Sequence, residues 1–182
     1  MGKAVEADLT LQQQALSGTI TNELAFPLTN CLLAYDRWVY RIESIEPGKP
    51  IRIDSTLRRS ELKTLLTGQH VVSDTKKHDY HQEATPYDPS SRDASYVLQT
   101  MMFFEAAGGR RYTGLTNGYQ RRVDLSELLN AGRAVLIAAV PQQHHGAELL
   151  RDGRPLDDTN ANRVTFYRFV LPIERAERPT NH

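Results

Sequence analysis

The chain has 182 residues, a length that favours one domain with a sizeable core, and its 22 Lys plus Arg are matched by 22 Asp plus Glu. With no net positive field, general attraction to nucleic acid or to an anionic membrane surface is excluded as an organising function. The longest apolar run, Ala134 to Val140, is far short of the roughly 20 residues of a membrane-spanning helix, and Cys31, the sole cysteine, excludes an internal disulfide. The first residues lack the basic start and apolar core of a signal peptide.

Residues 1–15 read as a lead-in segment in which Leu9 and Leu11 alternate as in a strand before the Gln12-Gln13-Gln14 run. Leu16, Gly18, Ile20 and Asn22 then alternate with Ser17, Thr19 and Thr21, the period-two pattern of a strand with one buried face. After a break at Glu23 to Pro27, the run around Cys31, Leu32, Leu33, Ala34 and Tyr35 is apolar on both sides, as in the middle of a sheet. Asp36 and Arg37 make the turn into a third strand, where Trp38, Tyr40 and Ile42 alternate with Val39, Arg41 and Glu43. Pro47-Gly48 supplies the fixed and the positive φ of a turn over Glu46 to Lys49, and Ile51 and Ile53 open the next strand.

From Ser55 to Gly68 the period changes to that of a helix, with Leu62, Leu65 and Leu66 on one face, Ser55 or Thr56 at its start and Gly68 beyond its end. Gln69 to Arg92 is polar, aperiodic and predicted as a long loop. Asp93 opens the clearest helix, whose Tyr96, Val97, Met101 and Phe104 give a broad apolar face that Gly108-Gly109 terminates, and which is expected to be mostly buried across the sheet. A polar connection, Arg110 to Tyr119, leads to a two-turn helix announced by Asp124 and Glu127 and stopped by Gly132. Arg133 to Val140 is the strongest strand, Asp152-Gly153 marks a tight hairpin, and Val164 to Ile173 is a final strand with Thr165, Tyr167, Phe169, Leu171 and Ile173 on its apolar face. The tail from Glu174 is charged and expected to be loose.

Strands at both ends with two to three helices between them predict a mainly β fold with a helical insertion, a single β-sandwich domain over residues 16–173 with the insertion at about 55–132. The late strands from Arg133 and Val164 are the expected pairing partners of the early ones. Gly18-Thr19-Ile20-Thr21-Asn22, Pro27-Leu28, Leu33-Ala34-Tyr35, Tyr40-Arg41-Ile42 and Pro47-Gly48 together resemble the immunoglobulin-like sandwich modules of bacterial membrane-anchored envelope proteins. Farther on, Met101-Met102-Phe103, Gly108-Gly109 and Tyr112-Thr113-Gly114-Leu115-Thr116-Asn117 look like the larger envelope version of such a module. The resemblance implies an immunoglobulin-like sandwich in an extracytoplasmic setting and carries over no catalytic residue.

Chemistry-bearing residues fall in two groups. His78 and His81, with Asp74, Asp79 and Glu83 nearby and His144 or His145 as a third ligand, have donor types suited to zinc, the basis of an alternative reading as a metal-dependent hydrolase or ligand-binding domain. Arg110, Arg111, Arg121 and Arg122, set around Tyr112 and Tyr119, form a candidate docking surface for a protein or anionic polymer partner. Gly108-Gly109 follows a predicted helix end, where the dipole is negative, so a phosphate cradle is not expected there. Cys31 has no neighbouring histidine in sequence and no Gly-x-Ser-x-Gly elbow occurs, leaving nucleophilic catalysis without a signature. The leading expectation is a non-enzymatic interaction or structural module without a cofactor, the soluble extracytoplasmic portion of a larger envelope protein.

Overall fold

The computed structural model describes residues 3–67, 70–74, 79–83, 93–116, 118–140, 150–155 and 164–175. The protein is mainly β: among these residues it forms thirteen strands and five short helices. The chain divides into two compact units, one made of Met1–Leu33, Arg41–Leu57 and Leu136–His182, the other of Ala34–Tyr40 and Arg58–Val135.

In the first unit, β1 (Val5–Gln12) and β2 (Ala15–Asn22) pair antiparallel along all eight residues of each, so the lead-in segment is a full member of the sheet. Leu9, Leu16 and Ile20 are buried while Thr19 and Gln12 face outward, as the alternation requires. Gly18 sits in β2 at φ +141°, and a Cβ there would lie 1.9 Å from the Asp8 carbonyl oxygen, so only glycine lets β1 come this close. On the other side of β2 lies β5 (Pro50–Ile53), antiparallel, with Gly18 opposite Ile53. The outer side of β1 takes β13 (Glu174–Arg175) in parallel, so the first residues of the predicted loose tail are instead held at Thr10 and Leu11.

A five-stranded sheet has the order β12-β9-β3-β4-β6. β3 (Leu28–Tyr35) is its central strand, and Cys31, Leu32, Leu33 and Ala34 are all buried, which is why both faces of this run are apolar. Asp36, at φ +52°, turns the chain into β4 (Trp38–Ile45). β9 (Ala134–Ala139) is buried at every position, and β12 (Phe166–Leu171) is the edge beyond it. The expected early-with-late pairing is therefore present, with β3 beside β9. β3, β4 and β9 contribute residues to both units.

β6 (Arg59–Glu61) occupies three positions that read as helix, and α1 (Leu62–Thr67) is correspondingly short. The start signal misled because Asp54, not Ser55 or Thr56, organises that turn: its carboxylate accepts from the Thr56 amide at 2.9 Å and the Thr56 hydroxyl at 2.6 Å. Strand pairing of Trp38 with Glu61 then holds Arg59 to Glu61 extended. Trp38 is half-buried, with the Arg59 guanidinium 4.5 Å and that of Arg37 5.2 Å from its ring centroid.

Within the predicted loop, β7 (His70–Asp74) and β8 (Asp79–Glu83) pair as an antiparallel ribbon, with Val72 opposite His81. Backbone pairing supplies order that side-chain periodicity does not signal. β10 (Leu150–Arg151) and β11 (Arg154–Pro155) flank Asp152-Gly153, both at positive φ, as a two-residue hairpin demands. Among the described residues no helix is long and apolar enough to cross a membrane.

Candidate functional site

The second unit holds the site. Asp93 caps α2 (Ala94–Met102), its carboxylate accepting from the Tyr96 amide at 3.1 Å, as expected. The Tyr96 hydroxyl donates to the Leu66 carbonyl of α1 at 2.7 Å, fixing the first turn of α2. The helix ends at Met102, six residues before the glycines, and positions 94–99 are only half-buried. The physical cause of the early stop lies downstream. Leu125 donates its amide to the Met102 carbonyl at 2.8 Å, Asp124 Oδ2 accepts from the Glu105 amide at 3.2 Å, and Ser126 Oγ accepts from the Ala106 amide at 2.9 Å. The Met102 carbonyl and the Glu105 and Ala106 amides are thereby diverted from a continuing helix, and residues 103–109 turn compactly around the buried Phe103, Phe104 and Ala107.

Asp124 has a second role. Its Oδ1 accepts from both the amide and the hydroxyl of Ser126, at 3.0 and 2.6 Å, at the start of α5 (Ser126–Asn130). Glu127 makes no return bond, so the predicted capping box is replaced by this single carboxylate serving two segments. Gly132, at φ +71°, closes the helix as expected.

Gly109, at φ +64°, begins α3 (Arg110–Thr113), so the glycine pair stands before a helix and not after one. α3 is a single turn: the Thr113 hydroxyl bonds back to the Gly109 carbonyl at 3.0 Å, and Gly114, at φ +69°, ends it. One turn aligns too few peptide dipoles to cradle a phosphate. Buried Leu115 anchors the chain on the far side before α4 (Gln120–Val123) begins. The predicted polar connection, Arg110 to Tyr119, thus opens with a helical turn, and a second turn follows directly after it.

Between them lies a half-open cleft of about 340 Å³. Phe104 and Leu115 form its apolar lining, with Glu105, Arg110, Thr116, Gln120 and Arg121 as its polar residues. Arg110 and Arg121 are exposed and, among the described residues, make no ion pair. Gln120 is the opposite: it is 6% exposed, and its Oε1 is the one buried side-chain oxygen or nitrogen without a hydrogen-bond partner among the described residues. Such an orphaned acceptor costs about 1–3 kcal/mol.

The predicted arginine cluster therefore divides. Arg110 and Arg121 line the cleft, while Arg111 and Arg122 are exposed outside its lining. Tyr112 takes its backbone place in α3, its side chain lying outside the described residues, and Tyr119 is 69% exposed. Sequence reasoning passed over Glu105 and Gln120. Gln120 stands between exposed Tyr119 and Arg121, and its burial comes from the fold around it, with no local signal.

His78, His144 and His145 lie outside the described residues, and His81 is described only by its backbone place in β8. Among the described residues no three His, Cys, Asp or Glu side chains gather as a metal site would need. Cys31 is buried in β3, and that burial pushes its thiol up to about 12, far from the thiolate a nucleophile requires. A second depression, about 290 Å³, lies over β1 and β2 with Lys3, Glu6 and Asp8 at its rim and no orphaned group within it.

Fold and geometry together define a mainly β protein bearing a small arginine-walled cleft. The chain belongs to the family described as a domain of unknown function, DUF8725, whose model matches residues 4–154. No curated protein and no solved structure matches it.

Proposed function

We propose that this protein is a non-enzymatic interaction module: an immunoglobulin-like β-sandwich with a helical insertion, displayed on the extracytoplasmic side of the cell envelope as part of a larger protein. It docks an acidic partner through Arg110, Arg111, Arg121 and Arg122. The observation that carries this reading is the exposure of all four arginines on two adjacent single-turn helices. Guanidinium groups on a fixed scaffold recognise carboxylates by paired hydrogen bonds, and they lose little freedom in doing so. The sandwich reading is supported by two multi-stranded sheets in which early and late strands combine.

Polyglutamate serves as the probe. Binding measured at low ionic strength should weaken steeply with added salt, because exposed charges are screened. Replacing the four arginines by glutamine should reduce affinity at least about tenfold, a loss of about 1.4 kcal/mol, with the melting temperature unchanged. Equal binding by wild type and the quadruple variant overturns the docking surface. The extracytoplasmic placement is tested on cells producing the full-length gene: added protease should remove this domain from intact cells, and protection until lysis overturns that part of the reading.

A further inference from the structure

We infer that Trp38, with the arginines set over its ring, is a second contact for the acidic partner, and that one extended acidic polypeptide segment reaches both this patch and α3. The inference rests on the arginine docking reading and adds a site outside those four arginines. Trp38 opens β4 opposite Glu61 of β6, and the guanidinium carbons of Arg37 and Arg59 lie 5.2 and 4.5 Å from its ring centroid. A guanidinium over a ring gives its flat face to the ring and keeps its in-plane N–H fork for a carboxylate. Arg37 is exposed and, among the described residues, makes no ion pair. Trp and Arg dominate binding surfaces, and side chains already held against a ring lose less freedom on docking.

The charge around the ring favours an anion. Arg37, Arg58 and Arg59 are all exposed there, against the two carboxylates of Asp36 and Glu61. Glu61 is engaged, since its Oε2 accepts from the Thr64 hydroxyl of α1 at 2.9 Å. The same helix ties the patch to the docking surface. Leu62, the first residue of α1, donates its amide to the Arg37 carbonyl at 2.8 Å, and α1 packs against α3, which carries Arg110 and Arg111. The 6 residues of α1 span about 9 Å, which with one packing contact at each end places Arg37 within about 20 Å of α3. An extended chain advances about 3.3 Å per residue, so about six acidic residues bridge the two contacts and three cover about half the way.

Trp38 is the only tryptophan of the chain, so its emission reports on this patch alone. The full chain is titrated at low ionic strength with hexaglutamate and with triglutamate, and binding is followed both by Trp38 emission and by calorimetry. Hexaglutamate should change the emission along a saturating curve that matches the calorimetric one. It should bind at least about tenfold more tightly than triglutamate, because only the longer chain joins both contacts. Arg37→Gln combined with Arg59→Gln should abolish the emission change and weaken hexaglutamate binding at least about tenfold, while the residual calorimetric binding at Arg110 and Arg111 persists. Arg37→Gln alone, an exposed change that leaves β6 intact, provides the same test should the double variant melt lower than wild type. Calorimetric binding of hexaglutamate with unmoved Trp38 emission, equal affinity for the two peptides, or a double variant that binds as wild type does overturns the second contact and spares the docking surface. Binding of neither peptide overturns both.

Discussion

At the end of β2 the side chain of Asn22 substitutes for a stretch of backbone pairing. Fully buried, it donates through Nδ2 to the carbonyls of Phe26 and Ile45, both at 2.9 Å, and accepts the Leu24 amide on Oδ1 at 3.0 Å. Its own carbonyl receives the Gly48 amide at 2.8 Å, so one residue ties the 23–27 break to the end of β4 and to the Pro47-Gly48 turn. Asn22→Ala should cost about 2–4 kcal/mol, because buried backbone groups lose partners that water does not replace. Urea unfolding should show the midpoint fall with its slope unchanged. Cys31 makes a different prediction. Burial raises its thiol from 9.0 to about 12, so the folded chain keeps a proton that the unfolded chain releases. Its contribution is whole below the unfolded value and is lost as pH rises from about 9 toward 12. Urea midpoints taken between about pH 8 and about pH 11 should therefore fall more steeply for wild type than for Cys31→Ala.

The elements most legible in the sequence are those whose burial pattern is carried by their own side chains. β2, β3, β4 and β9 alternate or run apolar according to how many faces they bury, and each was expected close to where it lies. β6 was not, since Arg59, Ser60 and Glu61 carry no apolar signal and owe their conformation to pairing with β4. The β7–β8 ribbon escaped notice for the same reason: its order resides in main-chain pairing. Of the cleft, the arginines were visible as a charge cluster, whereas Gln120 was not, because nothing local distinguishes a buried glutamine from a solvated one. The early end of α2 also depends on a residue remote in sequence. Asp124→Ala should free the Glu105 and Ser126 amides together and cost about 1–2 kcal/mol. Hydrogen exchange should accelerate at those two amides ahead of the β9 amides; uniform acceleration would show that Asp124 does not act locally.

For the whole molecule, the five-stranded sheet places β3 between β4, two residues away, and β9, which begins at Ala134. The fully buried Leu33 and the fully buried Leu136 and Ile137 thus belong to one sheet assembled from distant parts of the chain. A chain truncated after Arg133 lacks β9 and β12, and the central strand loses its neighbour on that side. Such a fragment is expected to show no cooperative urea transition by circular dichroism, whereas removal of the residues beyond Arg175 should leave the transition intact.

The position of β3 also sets a schedule for biosynthesis. The β3–β4 hairpin is complete by Ile45, yet its missing neighbour is encoded almost a hundred codons after β3 ends. At ribosomal rates of 5–20 residues per second that interval is roughly 5–20 s. Throughout it, the nascent chain carries a sticky open strand edge, rich in apolar side chains, whose proper mate has not yet been translated. Yield in a cell should accordingly respond to slower growth temperature and to chaperones that bind emerging chains more strongly than the stability of the finished protein would suggest.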